Sequence, residues 1–218
     1  MGPAGIVWER KGSKEGEMGK LATEFQMETH SGRLIDPTQV SVEDVDIEDI
    51  AYHLASIRRF GGACRVNVAD HSIRTAKIVE LLGGCWACQY EGLMHDAHEA
   101  YLGDIIYPYE SQEFLKPHKA YKITVQAAIN TKYPAPEHHA DCVWPMKELR
   151  EADFIAAKLE ADAFLVSKGR NWFGQSAERI AFVEQYREEF PELHQGEPLS
   201  SKESEELFLE LFYRMKGR

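Results

Sequence analysis

Along most of this 218-residue chain the apolar positions recur at intervals of three and four, the spacing of amphipathic helices. Only near the N-terminus does the interval shorten to two. Around Thr29-His30-Ser31-Gly32-Arg33-Leu34-Ile35 a Ser-Gly turn lies between short alternating runs, which predicts a small β-hairpin. Asp46 then stands as an N-cap before Ile47, Ile50, Leu54 and Ile57, a stripe that must end before Gly61-Gly62. A second helix carries Val68, Ile73, Ala76, Ile78, Val79 and Leu82 and stops at Gly83-Gly84. The third holds the His95-Asp96 pair and ends near Gly103.

Past a loop containing Pro108 and Pro117, Tyr121 through Ile129 reads as helix, and Pro134, Pro136, His138 and His139 mark another loop. Pro145 suits the first position of a long helix through Leu165. Ser176 to Phe190 forms a further helix. Ser200 and Glu203 make a capping box for the last one. There Leu207, Phe208, Leu211, Phe212 and Met215 line up as one apolar stripe, read as core or as a dimer seam. Residues 1–24 mix Gly, Lys and Glu without periodicity and read as a flexible lead-in. Residues 25–218 are therefore expected to form one compact all-α domain with a small N-terminal β-hairpin.

Composition narrows the partners. Apolar residues are 44% of the chain and charged residues 28%, an ordinary globular balance. The 25 Lys and Arg are outnumbered by 36 Asp and Glu, for a formal charge of −11. Such a surface argues against binding duplex nucleic acid, whose affinity comes from neutralising phosphates. A small phosphorylated ligand needs only a local cluster of positive charge. No apolar run has the length of a membrane span and no signal peptide is visible, so no membrane association and a cytoplasmic location are expected. The aromatic stripe of the last helix makes a homo-oligomer the expected assembly.

Four cysteines, Cys64, Cys85, Cys88 and Cys142, raise the question of a redox or zinc-binding Cys-x-x-Cys. With no second Cys-x-x-Cys or Cys/His pair recognised at ligand spacing, and no βαβ pattern around it, Cys85-Trp86-Ala87-Cys88 reads as packing: two small hydrophobes on one face of a helix beginning after Gly83-Gly84.

The chemistry gathers elsewhere. His71 lies one helix upstream of His95-Asp96, and Asp153 opens a helix downstream. Two neutral imidazoles and two carboxylates suit one divalent cation such as Mn, Co, Fe or Zn, with positions left for water and substrate. On the third helix His95 and Glu99 are four apart and Asp96 and Glu99 three apart, so all three can face one cavity. Asp104 follows where Gly103 lets the chain turn back. Acidic groups near a dication can orient a water, accept its proton or protonate a leaving group, and Glu99 and Asp104 are the candidates. In Ile57-Arg58-Arg59-Phe60-Gly61-Gly62 two guanidiniums are available to grip phosphate oxygens, with Phe60 beside them for a sugar or base.

Read together, His71, His95-Asp96 and Asp153 resemble the H…HD…D signature of the HD-domain metal-dependent phosphohydrolases, an all-helical superfamily. The likeness is closest to its bacterial and phage 5′-deoxynucleotidase-like and dATP triphosphohydrolase-like branch. It is carried by Asp46-Ile47-Glu48-Asp49-Ile50-Ala51, Arg59-Phe60-Gly61-Gly62, Ala69-Asp70-His71-Ser72, the run from His95 to Ile105, and Glu151-Ala152-Asp153, over roughly residues 27 to 166. The resemblance implies that His71, His95, Asp96 and Asp153 bind the metal and that Arg59 holds the phosphate. It further implies that Phe60 crowds the sugar 2′ position, Glu99 positions or deprotonates the attacking water, and Asp104 assists the leaving oxygen. Many relatives carry a Pro-x-Lys after the Gly-Asp-Ile, where this chain reads Ile106-Tyr107-Pro108-Tyr109-Glu110, which leaves Lys116, Lys119 and Lys122 as candidates to stand in for that lysine.

The implied substrate is a small-molecule 2′-deoxynucleoside 5′-phosphate. It is either a monophosphate cut to nucleoside and phosphate or a triphosphate such as dATP stripped to the nucleoside, the latter with additional Mg. An alarmone or cyclic-nucleotide HD hydrolase and a non-catalytic nucleotide-binding protein are the alternatives; no Gly-Tyr-Pro follows the His95-Asp96 helix, as the first would require.

Overall fold

The computed structural model describes residues 26–106, 113–142, 144, 146–170, 176–189, 191 and 196–217. The expected lead-in and Glu110 lie outside them, as does Pro145. The described chain is mostly helical, with a small two-stranded antiparallel sheet, β1 (Met27–Glu28) and β2 (Leu34–Ile35). The helices are α1 (Ile47–Ser56), α2 (Val68–Leu81), α3 (Trp86–Met94), α4 (Glu99–Leu102), α5 (Lys116–Lys132), α6 (Met146–Phe164), α7 (Ala177–Glu189) and α8 (Ser201–Lys216).

Local signals set most of these limits. Asp46 caps α1, its side chain accepting from the Glu48 amide, and Ser200 and Glu203 form both halves of a capping box on α8. Pro117 falls in the first turn of α5 rather than in the loop before it. The proline's missing N–H is harmless there, because the first-turn amides have no helical partner anyway.

At the centre lies α2, buried on nearly every face and packed against α1, α3, α6 and α8. Its N-cap Asn67 is fully buried, accepts from the Asp70 amide at 2.8 Å and donates to Ser204 Oγ at 2.9 Å. Asp70 in turn takes Arg74 Nε at 2.8 Å and the Leu199 amide at 3.2 Å. The entry to α8 is thereby fastened to the first turn of α2, just where His71 projects. The crossing of α2 and α3 is close because Gly92 lacks a side chain: a Cβ there would lie 3.1 Å from Ala76 Cα.

Two larger apolar clusters flank α2. One gathers Ile50, Leu54, Val68, Leu93, Ile129, Phe208 and Phe212; the other joins Ile78 and Val79 to Ile155 and Leu159 of α6 and Val183 of α7. Phe208, Phe212 and Met215 of the α8 stripe are buried in the first. Most of the stripe is thus core, with Leu207 and Leu211 half-buried beside it. Among the described residues no helix is long and apolar enough to cross a membrane.

Candidate metal centre

His95 and Asp96 do not sit inside a helix. The third helix expected from sequence is two, α3 ending at Met94 and α4 starting at Glu99, with the residues between held by tight turns. Amides of Ala97, Glu99, Ala100 and Tyr101 donate to carbonyls three residues back, and His95 Nδ1 donates to Gly92 O at 2.9 Å. The i→i+3 ladder tightens the chain here. It turns both His95 and Asp96 toward α2.

On α2, His71 is wholly buried and bound at both ring nitrogens. Nδ1 is 2.9 Å from Glu160 Oε1, and Nε2 is 3.0 Å from Asp153 Oδ1, both acceptors on α6. His95 Nε2 lies 3.0 Å from Asp96 Oδ2 and 3.8 Å from Asp153 Oδ1, and His71 Nε2 is 3.8 Å from Asp96 Oδ2. The four expected ligands therefore converge from α2, the turn after α3, and α6. The donor atoms of His71, His95 and Asp96 all lie within 4.8 Å of one another.

The hydrogen bonds also set the tautomers. In His95 the Gly92 carbonyl fixes the proton on Nδ1 and leaves Nε2 as a lone-pair donor; His71, with a carboxylate at each nitrogen, presents Nε2 the same way when its Nδ1 proton serves Glu160. Lone pairs facing carboxylate oxygens at 3.0 Å repel unless a proton or a metal ion lies between them. His95 Nε2 is buried and makes no hydrogen bond despite its closeness to Asp96. The donor set fits a divalent cation.

Charge makes the same point. Burial and the Arg59 guanidinium both work against a charge on His71, yet Glu160 and Asp153 outweigh them and its pKa rises above 6.5. Burial also pulls His95 down, while Asp96 and Asp153 push it well above 6.5. Burial would raise the Asp96, Asp153 and Glu160 carboxyls, but the imidazoles more than offset it and all three fall below their ordinary values. With both imidazoles neutral, the carboxylates of Asp96, Asp153 and Glu160 outnumber the buried Arg59 guanidinium, a surplus of negative charge that a bound cation would relieve.

Arg59 is drawn in by that charge. Its side chain is 13% exposed, with Nε 3.2 Å from Glu160 Oε2 and Nη1 3.9 Å from Asp96 Oδ2. These contacts engage only part of the guanidinium's five N–H donors. The loop that presents Arg59 is closed by backbone bonds from Arg59 N to Val66 O and from Val68 N to Ile57 O. Within it Phe60, Gly61 and Gly62 all have positive φ, at 55°, 63° and 82°. For a phenylalanine that conformation is strained, and burial against Ala161 of α6 and Leu165 just beyond it holds it. The Phe60 ring lies 5.5 Å from Arg59 Cζ and backs the guanidinium.

Glu99 is buried, its Oε2 without a hydrogen-bond partner, and the donor atoms of Asp96, His98 and Glu99 lie within 4.8 Å of one another. Burial first, then Asp96 and Asp104, push its carboxyl well above the ordinary range. Asp104 is half-buried after Gly103, and burial raises it too. His98 is 2% exposed and held by Gln126 at 3.0 Å; burial lowers its pKa to about 4.

Two features are not anticipated by the sequence pattern. Glu160, the carboxylate that orients His71 and grips Arg59, lies seven residues after Asp153. That is two helical turns along the same face of α6, so the spacing alone could have exposed it. The second is an open cleft of about 1180 Å³ beside Asp153, lined by Lys119 and Lys122 of α5 and Arg150 and Phe154 of α6. Of the three lysines considered for the missing phosphate contact, two reach this cleft, while Lys116 pairs with Glu113 at the exposed start of α5.

No family model matches the chain. It is 30% identical over 141 residues to the "Uncharacterized protein RCAP_rcc00048" of Rhodobacter capsulatus, an alignment covering 61% of this chain and 69% of that protein. The chain belongs to one family with that Rhodobacter protein. "Uncharacterized protein YfdR" of Escherichia coli K12 is 32% identical over 112 residues, covering 50% of this chain and 59% of its own length.

Proposed function

We propose that the chain is an HD-domain metal-dependent phosphohydrolase whose substrates are 2′-deoxynucleoside 5′-phosphates. The observation that carries this reading is the pair of imidazole Nε2 atoms, on His71 and His95, each 3.0 Å from an aspartate oxygen with its other ring nitrogen already committed. A divalent ion such as Mn, Co, Fe or Zn held by His71, His95, Asp96 and Asp153 supplies Lewis-acid polarisation of a phosphoryl oxygen and a lowered pKa for water.

The chain's own groups do the rest. Glu99 offers a buried, unpartnered carboxylate oxygen to orient the attacking water and take its proton. Asp104 assists the leaving oxygen. Arg59, anchored by Glu160 and backed by Phe60, neutralises charge on the transferring phosphoryl group with its remaining N–H donors. Lys119, Lys122 and Arg150 place further positive charge along the cleft, where the phosphates of a triphosphate such as dATP would lie. An additional Mg would enter with the phosphates of such a substrate.

The test is phosphate release by the metal-loaded full chain from a panel of deoxynucleoside mono- and triphosphates and the matching ribonucleotides. Release from deoxynucleotides in preference to ribonucleotides is expected. Hydrolysis confined to cyclic nucleotides or alarmones added to the same panel and followed by chromatography, or tight nucleotide binding with no hydrolysis, would replace this reading with one of its alternatives.

A further inference from the structure

On the far side of α3 from His95 lies a second set of ligating side chains. Cys85 caps α3, Cys88 is one turn inside it, and His138 and Cys142 come from the loop that leads from α5 toward α6. All cysteines are free thiols. Cys85 Sγ is 3.4 Å from both Cys88 Sγ and His138 Nδ1, while Cys88 Sγ is 3.7 Å from His138 Nδ1 and 3.6 Å from Cys142 Sγ. The four donor atoms all fall within 4.8 Å of one another.

These separations can be compared with a tetrahedral zinc site. Zinc bound at about 2.3 Å by thiolate and about 2.05 Å by imidazole sets the edges near roughly 3.8 Å between sulfurs and roughly 3.6 Å between sulfur and nitrogen. Four of the six separations, 3.4 to 3.7 Å, lie within about 0.4 Å of those edges. His138 is oriented as a ligand. Its Nδ1 faces the thiols while Nε2 lies 3.5 Å from Glu91 Oε1, the carboxylate–histidine pairing that steadies a metal-bound imidazole. The spacing, Cys85-x-x-Cys88 with His138-x-x-x-Cys142, is that of a structural zinc knuckle closed by a distant pair.

We infer that Cys85, Cys88, His138 and Cys142 form a structural zinc site, separate from the carboxylate-rich centre. Cys88 is buried with Val79 and Ile155, and Cys85 and Cys142 pack half-buried against the same cluster, but packing does not explain why the exposed His138 aims Nδ1 at the thiols. Three soft thiolates and one imidazole, with no carboxylate and no open position, select zinc over manganese or magnesium. The site ties the loop after α5 to the start of α3. His95 follows the far end of α3, and α6, which carries Asp153 and Glu160, begins four residues after Cys142. The zinc therefore acts as a staple fixing the two elements that must meet at the other centre.

The experiment counts zinc in the reduced full chain after purification from zinc-supplemented cells, beside Asp96→Ala, Cys88→Ser and Cys142→Ser. One equivalent should survive in Asp96→Ala and be lost from both serine variants. Should a serine variant fail to fold, cobalt loading of the unmutated chain supplies an independent readout. An intense thiolate-to-cobalt charge-transfer band with the strong visible bands of a tetrahedral site is expected, together with protection of three thiols from a thiol reagent. A chain that takes up cobalt without a thiolate band and whose cysteines stay fully reactive overturns the assignment, as does zinc that follows Asp96 rather than the cysteines. Because the readout is metal content and not turnover, failure of the deoxynucleotidase reading leaves this test unaffected.

Discussion

Replacing Glu160 by glutamine probes the least visible part of the metal centre. Glu160 touches no substrate and no expected ligand atom of the metal; it acts through His71 Nδ1 at 2.9 Å and Arg59 Nε at 3.2 Å. Glutamine keeps the volume and an acceptor for His71 but discards the charge. A hydrogen bond to a carboxylate is roughly twice as strong as its neutral counterpart, so the His71 contact should lose about 1 kcal/mol. Arg59 keeps Asp96 at 3.9 Å as a weaker partner, so its loss stays below the ~3–5 kcal/mol of a buried charge stripped of all compensation. A total of about 2–4 kcal/mol falls within the usual ~5–15 kcal/mol of folding stability, and the variant should still fold.

Metal affinity should suffer more visibly, by about 10- to 100-fold, because a neutral acceptor holds the imidazole less firmly in the tautomer that presents Nε2 and makes Nε2 a weaker donor. Calorimetric titration with manganese measures this cleanly, since a hard ion avoids the thiolate cluster. Manganese affinity within about twofold of the unmutated chain, in a variant that also melts at the same temperature, would refute the orienting role of Glu160.

Other residues make their own demands. Gly92→Ala should destabilise the chain by about 1–3 kcal/mol in urea unfolding despite alanine's better helix propensity, because the new methyl meets Ala76 Cα at 3.1 Å; a stabilised variant would show that the α2–α3 crossing yields. Arg59→Ala should raise KM for a deoxynucleotide by about 10-fold or more, and Lys122→Ala should do so for triphosphates more than for monophosphates; steady-state kinetics with unchanged KM would remove either from the phosphate path. Burial would raise Asp49, but the Ser31 amide at 2.7 Å and hydroxyl at 2.8 Å hold its pKa below 3.8. Its contribution to pinning the β-hairpin on α1 is thus full above 3.8 and lost as pH falls through the depressed folded value. The protection of the Ser31 amide, its exchange rate relative to the intrinsic rate at each pH, should fall on that descent in the native chain and be low at every pH in Asp49→Ala. Exchange that ignores both changes would remove Asp49 from this role.

The fold is largely legible in the sequence because its boundaries are local. Asp46, Ser200 with Glu203, and Gly83-Gly84 announce helix ends through chemistry confined to a few neighbours, and the periodic stripes give the faces. What reads less well depends on contacts far along the chain. The break between α3 and α4 has no Gly or Pro at the site; it follows from a run of i→i+3 bonds that propensity does not report. His71, His95, Asp96 and Asp153 come together as their order suggests. Glu160, seven residues beyond Asp153, stays hidden because a carboxylate in a charged helix ordinarily means a solvated face. The Cys85-Cys88 pair reads as packing for a related reason. In sequence His138 and Cys142 stand far from Cys88, and only the packing of the α5–α6 connection on α3 brings the four donors together.

Everything proposed for the reaction turns on four side chains, from three parts of the fold, holding one catalytic cation. Phosphate release from a deoxynucleotide, followed in the manganese- or cobalt-loaded chain and in Asp96→Ala under the same loading, is the sharpest check. Turnover is expected in the first. In the second, both turnover and the bound ion should be lost, with the zinc at the cysteines untouched. Full turnover by Asp96→Ala stripped of that ion would contradict the proposal.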